Sequence, residues 1–400
     1  MQQSDRRRWE VVAMLWFAYV LYQADKQIYA VVLPLVRAEM GLSGYEAGLV
    51  NSAFTVVSAI LAPLAGAFGD RWPKHRVLIL AVAIWSVATM LTGFATSLAL
   101  LLLIRAVLFA GAESFYPPVS HAYLAEQHTT TRALAISIHQ TAQNAGPLVS
   151  GLLAGWLAEK FGWRIGFMAF GVPGLLLSVW MYLRMPASGI SSKGSALLAG
   201  FAYCFKIDAV RRLGFAFAAV LFVLIGYSTW APTLFGTQFG VSVAQAGFQT
   251  SFWSSIASMA GALIGGLTAD RMVQRGYRRV SLQAAFLLAG APFLWWLGSA
   301  NDLVEAVWAL SGVGLFRGMY EATIAVTLYD YVPPQYRSSA AAVVLLLANL
   351  LAAPSAAVLG WLGDQSQLTT SIRLLSILFV LAAGILFSAR GLPLSPIDVE

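Results

Sequence analysis

Six ionisable residues stand inside long apolar runs of this chain: Asp25, Lys26, Arg105, Glu113, Arg317 and Glu321. A charge at the centre of a bilayer costs about 2.5–3.5 kcal/mol on insertion scales, so each is a functional hypothesis by default. If those costs added, the six would total roughly 15–20 kcal/mol, comparable with the whole stability of a domain. They must therefore face one another or water, and their formal charges cancel. Arg317 and Glu321 are four apart, on one face of a helix. They are either an internal ion pair or part of a binding or gating site. Asp25 and Lys26 are adjacent, and neighbours on a helix point about 100° apart, so each needs its own partner. Tyr22 and Tyr29 share the face of Lys26. A lysine ringed by tyrosines can hold an anion; the alternative is a lysine bonded to helix-end carbonyls.

Uncharged polar residues recur at helical spacing. His139, Gln140, Gln143 and Asn144 form a stripe, with His139/Gln143 and Gln140/Asn144 four apart. Such a stripe either lines a cavity or joins neighbouring helices. Tyr227, Trp230, Tyr320 and Asn349 are further candidate contacts for a small molecule, though aromatic residues at such positions serve equally well as core.

The elements that carry these residues follow from composition. The 400-residue chain is 59% hydrophobic and 11% charged, with a mean hydropathy of +0.73. A soluble domain carries about 25% charged residues, so most of this surface needs lipid as its solvent. The net charge of +7 does not point to nucleic acid, because the basic residues lie in short loops beside apolar runs. The single cysteine, Cys204, excludes an intramolecular disulfide framework. No paired His or Cys spacing indicates a metal site, and no P-loop indicates direct use of ATP. No nucleophile and base set is visible, so an enzyme is not expected, nor is a cofactor. The first apolar run is too long for a cleaved leader and is read as an uncleaved span.

A spanning helix needs about 20 apolar residues. Twelve runs qualify, near 11–36, 45–68, 77–95, 98–125, 132–157, 164–184, 212–236, 244–268, 280–299, 304–329, 338–362 and 370–389. This predicts an all-α membrane protein of two six-helix bundles, over 1–188 and 212–400, with a cytoplasmic linker over 189–211. The N-terminus and the loops after even-numbered runs hold Arg6, Arg7, Arg8, Arg71, Lys74, Arg76, Arg132 and most of the other basic residues. The opposite loops hold Arg37, Lys160, Arg164 and Arg373. The positive-inside rule then places both termini in the cytoplasm. The halves also repeat. Arg132 to Glu159 aligns with Arg337 to Asp364, matching Asn144 with Asn349 and Gly155-Trp156-Leu157 with Gly360-Trp361-Leu362.

The loop Gly66 to Arg76 reads GAFGDRWPKHR, and Gly266 to Arg279 reads GLTADRMVQRGYRR. Asp270 and Arg271 lie 200 positions after Asp70 and Arg71. The repeated loop resembles the signature of the major facilitator superfamily of secondary transporters. That resemblance covers essentially the whole chain and makes Gly66, Asp70, Arg71, Arg76, Asp270 and Arg271 a cytoplasmic gate. Asp25-Lys26, the Glu113 to Pro118 stretch, Gly162-Trp163-Arg164 with Phe167, and Trp230-Ala231-Pro232-Thr233 look like the anion:cation symporter branch, which includes sugar-acid and organic-anion carriers. By that resemblance Lys26 takes the place of an anion-binding arginine. Asp25 and Glu113 take the place of proton-carrying carboxylates, with Glu321 a further candidate. Lys26 replaces Arg, which removes bidentate clamping of a carboxylate. The Arg105-to-Glu113 spacing is one residue longer than that branch shows, and Phe109 stands where it has a glycine.

The expected function is proton-coupled symport of a small organic anion, a carboxylate or sugar acid, by a monomer in a bacterial inner membrane. Its partners are that anion, protons and lipid. Two other transport readings stay open. Gly146-Pro147 half-matches the antiporter signature of drug exporters. An acidic-basic pair in the first run and Glu113 in the fourth also resemble the Spinster branch, which implies a lysolipid or similar amphiphile.

Overall fold

A computed structural model describes residues 2–128, 131–188 and 197–394, and these are helical with no β-strand among them. The 189–196 part of the expected linker lies outside the described residues. Twelve helical segments correspond to the twelve apolar runs: α1 Gln2–Met40, α2 Gly44–Arg71, α3 Lys74–Thr92, α4 Leu98–Gln127, α5 Arg132–Phe161, α6 Trp163–Arg184, α7 Asp208–Phe239, α8 Val243–Gln274, α9 Arg279–Leu297, α10 over 303–329, α11 Pro334–Gln365 and α12 Leu368–Ala389. A short helix, Leu197–Lys206, precedes α7.

Nine of these are long and apolar enough to cross a membrane by length and composition. The other three are α1, α5 and α10, which carry Asp25 and Lys26, the His139–Asn144 stripe, and Arg317 with Glu321. Polar residues lower the hydropathy of these three segments, while α4 carries Arg105 and Glu113 and stays apolar enough to qualify.

Three segments are interrupted where the sequence reading took them as continuous. α4 turns π-helical over Leu102–Phe109, with the Ala110 N–H donating to the Arg105 carbonyl five residues back. It breaks again at 114–115, just ahead of Pro117 and Pro118. α10 breaks at 322–323. α11 breaks at 353–354, where Pro354 lacks the N–H that an unbroken helix needs.

The chain divides into two compact units, residues 1–194 with 240–251, and 195–239 with 252–400. In the first, α1 packs on α5 and α3 on α6, while α4 lies against α2 and α3. In the second, α7 packs on α11 and α9 on α12. The order of pairing is therefore the same six helices later.

The repeat reaches single residues. Ser97 accepts a hydrogen bond from the Leu100 N–H and caps α4, as Asp302 does from Glu305 for α10. Lys74, at the start of α3, pairs with Glu126 near the end of α4 at 2.7 Å. Arg279, at the start of α9, pairs with Asp330 at the end of α10 at 2.8 Å. Arg164 donates to the Gly93 and Ala95 carbonyls beyond α3, and Arg373 to the Gly298 carbonyl beyond α9. A cation is favoured at a helix C-terminus, where carbonyls lack intrahelical partners. The turns after α1 and α7 each place a glycine at positive φ, Gly41 at 63° and Gly240 at 65°, where a side chain would be strained.

Candidate functional site

In the first unit α1 sends Asp25 and Lys26 to different surroundings, as their angular separation requires. Asp25 is 1% exposed and accepts a hydrogen bond from the Thr89 hydroxyl of α3 at 3.1 Å. Its backbone carbonyl accepts from the Arg105 guanidinium of α4 at 3.0 Å. Arg105 is buried among aromatic faces, 4.5 Å from the centroid of Phe109, 5.5 Å from Phe167 and 5.8 Å from Tyr29. Phe109 therefore serves as the platform for this guanidinium. Cation–π contact of this kind stabilises a desolvated charge by about 2 kcal/mol.

Lys26 is only half-buried. Its ammonium lies 5.2 Å from the centroid of Tyr22 and 5.3 Å from that of Phe54 on α2. Tyr29 was expected beside it. Instead the Tyr29 hydroxyl donates to the Ala47 carbonyl and its ring serves Arg105. Glu113 is buried at 2% exposure, accepts from the Ser58 hydroxyl at 3.3 Å, and has the Tyr22 hydroxyl beside it. Lys26 and Arg105 are the cations whose fields act on Glu113. The site is thus one half-buried ammonium on an aromatic bed, one buried guanidinium and two buried carboxyls. One oxygen of each carboxyl, Asp25 Oδ1 and Glu113 Oε2, has no hydrogen-bond partner.

The other candidates take varied places. His139 is fully buried and hydrogen-bonds Tyr116 at 3.2 Å. Gln140 and Gln143 are exposed on α5, and Asn144 is half-buried. In the second unit Arg317 donates to the Tyr227 hydroxyl at 3.1 Å and to Ser258 at 3.2 Å, and pairs with Glu321 at 3.4 Å. Tyr227 also bonds Ser254 at 3.3 Å. Trp230 is buried and its indole N–H donates to the Ala356 carbonyl. Tyr320 is buried too, and Asn349 donates to its own helix at Leu345. Residues 66–71 are helical, but the side chains of Asp70 and Arg71 lie outside the described ones, as does the environment of Gly66. Arg76, Asp270 and Arg271 are exposed at helix ends.

Sequence reasoning passed over Ser58, Phe54, Thr89, Ser254 and Ser258. Hydroxyls within apolar helices, single at Ser58 and Thr89 and clustered over Ser251–Ser258, were the available signal for all but Phe54. Also missed was a seam of small residues, Gly261 and Gly265 on α8 against Gly314 and Gly318 on α10. A Cβ at any of these four would meet the facing backbone. Such spacing lets helices approach closely, and here it brings Arg317 against Ser258.

An apolar groove of about 870 Å³ runs between α3 and α4, lined by Leu80, Ile84, Leu103, Val107 and their neighbours. Its lining is almost wholly apolar and holds no charged residue, so the chemistry belongs to the Asp25, Lys26 and Glu113 cluster.

Residues 15–356 match the family model described as Major Facilitator Superfamily. The chain is 26% identical to a probable sulfoacetate transporter of Cupriavidus necator, over 82% of this chain and 80% of that one. It is 23% identical to a hexuronate transporter of Bacillus subtilis, over 89% and 88%. Its fold superposes on a bacterial homolog of the human lysosomal transporter Spinster in an inward-facing, occupied conformation, with a TM-score of 0.84, 20% identity and 96% of each chain covered. With a family model spanning most of its length and a matching fold, the chain belongs to the major facilitator superfamily and is a multi-pass membrane transporter.

Proposed function

We propose that the protein is a secondary active transporter of a small organic anion, driven by proton symport through alternating access. The observation that carries this reading is the half-buried Lys26 ammonium whose field reaches the buried Glu113 carboxyl, with the buried Asp25 carboxyl one residue before it on α1. With both carboxyls protonated, the cluster of Asp25, Lys26, Arg105 and Glu113 carries two positive charges, and an anion is attracted to Lys26. When the protons leave, the restored carboxylates cancel that attraction and the anion is released. Proton and anion affinities are then reciprocally linked. The likeness to hexuronate and sulfoacetate transporters supports a carboxylate or sulfonate headgroup. The excess of basic residues on one set of loops supports cytoplasmic termini in a bacterial inner membrane.

The test is proton uptake by the purified protein, read with a pH-indicator dye, on adding sugar acids, sulfoacetate or lysolipids in turn. Proton uptake with a sugar acid or sulfoacetate, abolished in Asp25→Asn with Glu113→Gln, is expected. A response to lysolipid alone would move the assignment to the amphiphile reading, which the 24% identity to Protein spinster homolog 1 of Xenopus tropicalis supports.

A further inference from the structure

The second unit has a charged cluster of its own, between α7, α8 and α10, that the Lys26 reading does not use. Arg317 stands about four turns into α10 from its Asp302 cap, deep in a membrane segment. Gly314 and Gly318 flank it, and a Cβ at either would meet the Ser254 or Ser258 carbonyl. That close approach sets the guanidinium against α8. One arm, Nη2, donates to the Ser258 hydroxyl at 3.2 Å, and the other, Nη1, to the Tyr227 hydroxyl of α7 at 3.1 Å. Tyr227 is buried, and its hydroxyl is bonded in turn to that of Ser254 at 3.3 Å. Both arms are therefore fixed by neutral hydroxyls, which orient the guanidinium and leave its charge uncancelled.

Glu321, one turn further along α10, is the carboxylate whose field acts on Arg317. Its Oε1 lies 3.4 Å from Nε, yet Nε is buried and makes no hydrogen bond. The carboxylate thus covers Nε without bonding to it. A pair built for stability alone would close that gap, since a charge-assisted hydrogen bond runs at about 2.7–2.9 Å. The two side chains are 21% and 35% exposed, Glu321 being the more open. It is free to turn toward water while Tyr227 and Ser258 keep hold of the arms of Arg317.

We propose that Arg317 is the cation of a second anion site, lying wholly in the second unit, whose ligand is a small carboxylate that takes the place of Glu321. The ligand class follows from the present occupant. The edge that Glu321 covers faces a planar, two-oxygen group, which a guanidinium fork matches. Tyr227 and Ser258 are positioning residues for that fork. Glu321 is an internal competitor: while it faces Nε, an incoming anion meets a like charge. The affinity of the site is reduced by the fraction of time Glu321 is turned away.

The experiment is equilibrium dialysis of radiolabelled gluconate against the purified full-length protein in detergent, read as sites per chain and their affinity. The wild type is expected to bind one gluconate tightly, at Lys26. Glu321→Gln keeps the shape of the side chain and removes the competing charge. It should add a second site, tightened about tenfold or more over the wild type, as relief of a like-charge contact does. Lys26→Gln with Glu321→Gln, in which Arg317 is untouched, should keep that second site. Arg317→Gln with Glu321→Gln should lose it and still bind gluconate at Lys26, which shows that this variant is folded. A site count in Glu321→Gln no higher than in the wild type overturns the proposal and leaves the Lys26 reading to stand or fall on its own site. A gain that persists without Arg317, or vanishes without Lys26, also overturns it. A single site in Glu321→Gln that survives Lys26→Gln and is lost with Arg317→Gln sustains this site and overturns the reading at Lys26.

Discussion

Lys26 and Arg105 are both cations against aromatic rings, yet their surroundings assign them different work. Lys26 is half-buried and rests on Tyr22 and Phe54, whereas Arg105 is buried and holds the backbone of Asp25. Replacing Lys26 by Gln should weaken anion binding about 10- to 100-fold, the equivalent of one charged hydrogen bond at about 1.5–3 kcal/mol, and leave the melting temperature nearly unchanged. Arg105→Gln should instead lower stability by about 3 kcal/mol or more, because it strips Asp25 of its nearby positive charge. Equilibrium binding and thermal unfolding in detergent separate the two outcomes. The sequence pointed to these residues because a charge in an apolar run stands out. It could not divide their roles, since burial and partners depend on which helix lies opposite. Tyr29 shows the limit: it shares a helix face with Lys26, but an acceptor on α2 and a guanidinium on α4 claim it.

Among elements, the contact of α3 with α6 depends on the absence of side chains. A Cβ at Gly171 would run into the Ser86 carbonyl and the Met90 side chain, and one at Gly174 into the Ser86 side chain. Gly384 on α12 has nothing within 4 Å of such an atom. Gly171→Val should therefore destabilise by about 1–3 kcal/mol, as overpacking of a close contact does. Gly384→Val should be nearly neutral on the same thermal unfolding assay. Helix positions were legible from length and hydropathy, since lipid demands long apolar stretches. The breaks at 114–115, 322–323 and 353–354 were not, because the helix resumes after each and proline within a membrane helix does not by itself end it.

Across the whole chain, composition alone specified lipid as the solvent, and the halved repeat specified six helices used twice. The shared caps at Ser97 and Asp302, and the shared pairs Lys74–Glu126 and Arg279–Asp330, show that the repeat extends to polar detail that sequence comparison did not register. These pairs swap Lys for Arg and Glu for Asp, so charge is kept while letters change. The loop charges lead us to expect both termini on the cytoplasmic side. A cytoplasm-active fluorescent fusion at each end should be bright in intact cells; a dark fusion at either end would reverse the orientation.

The π-helical stretch of α4 explains how a helix can gain a residue without discarding its site. Each five-residue hydrogen bond over Leu102–Phe109 encloses one more residue than an α-helical turn. The wider turns between Arg105 and Glu113 are confined to this stretch, and both side chains reach Asp25 and its neighbours. One residue added to an ordinary helix would rotate every later residue, whereas a π turn confines the change to one bulge. Chain length within a membrane span is thus free to drift by single codons, with the charged cluster held in place while the wall beside it is rebuilt.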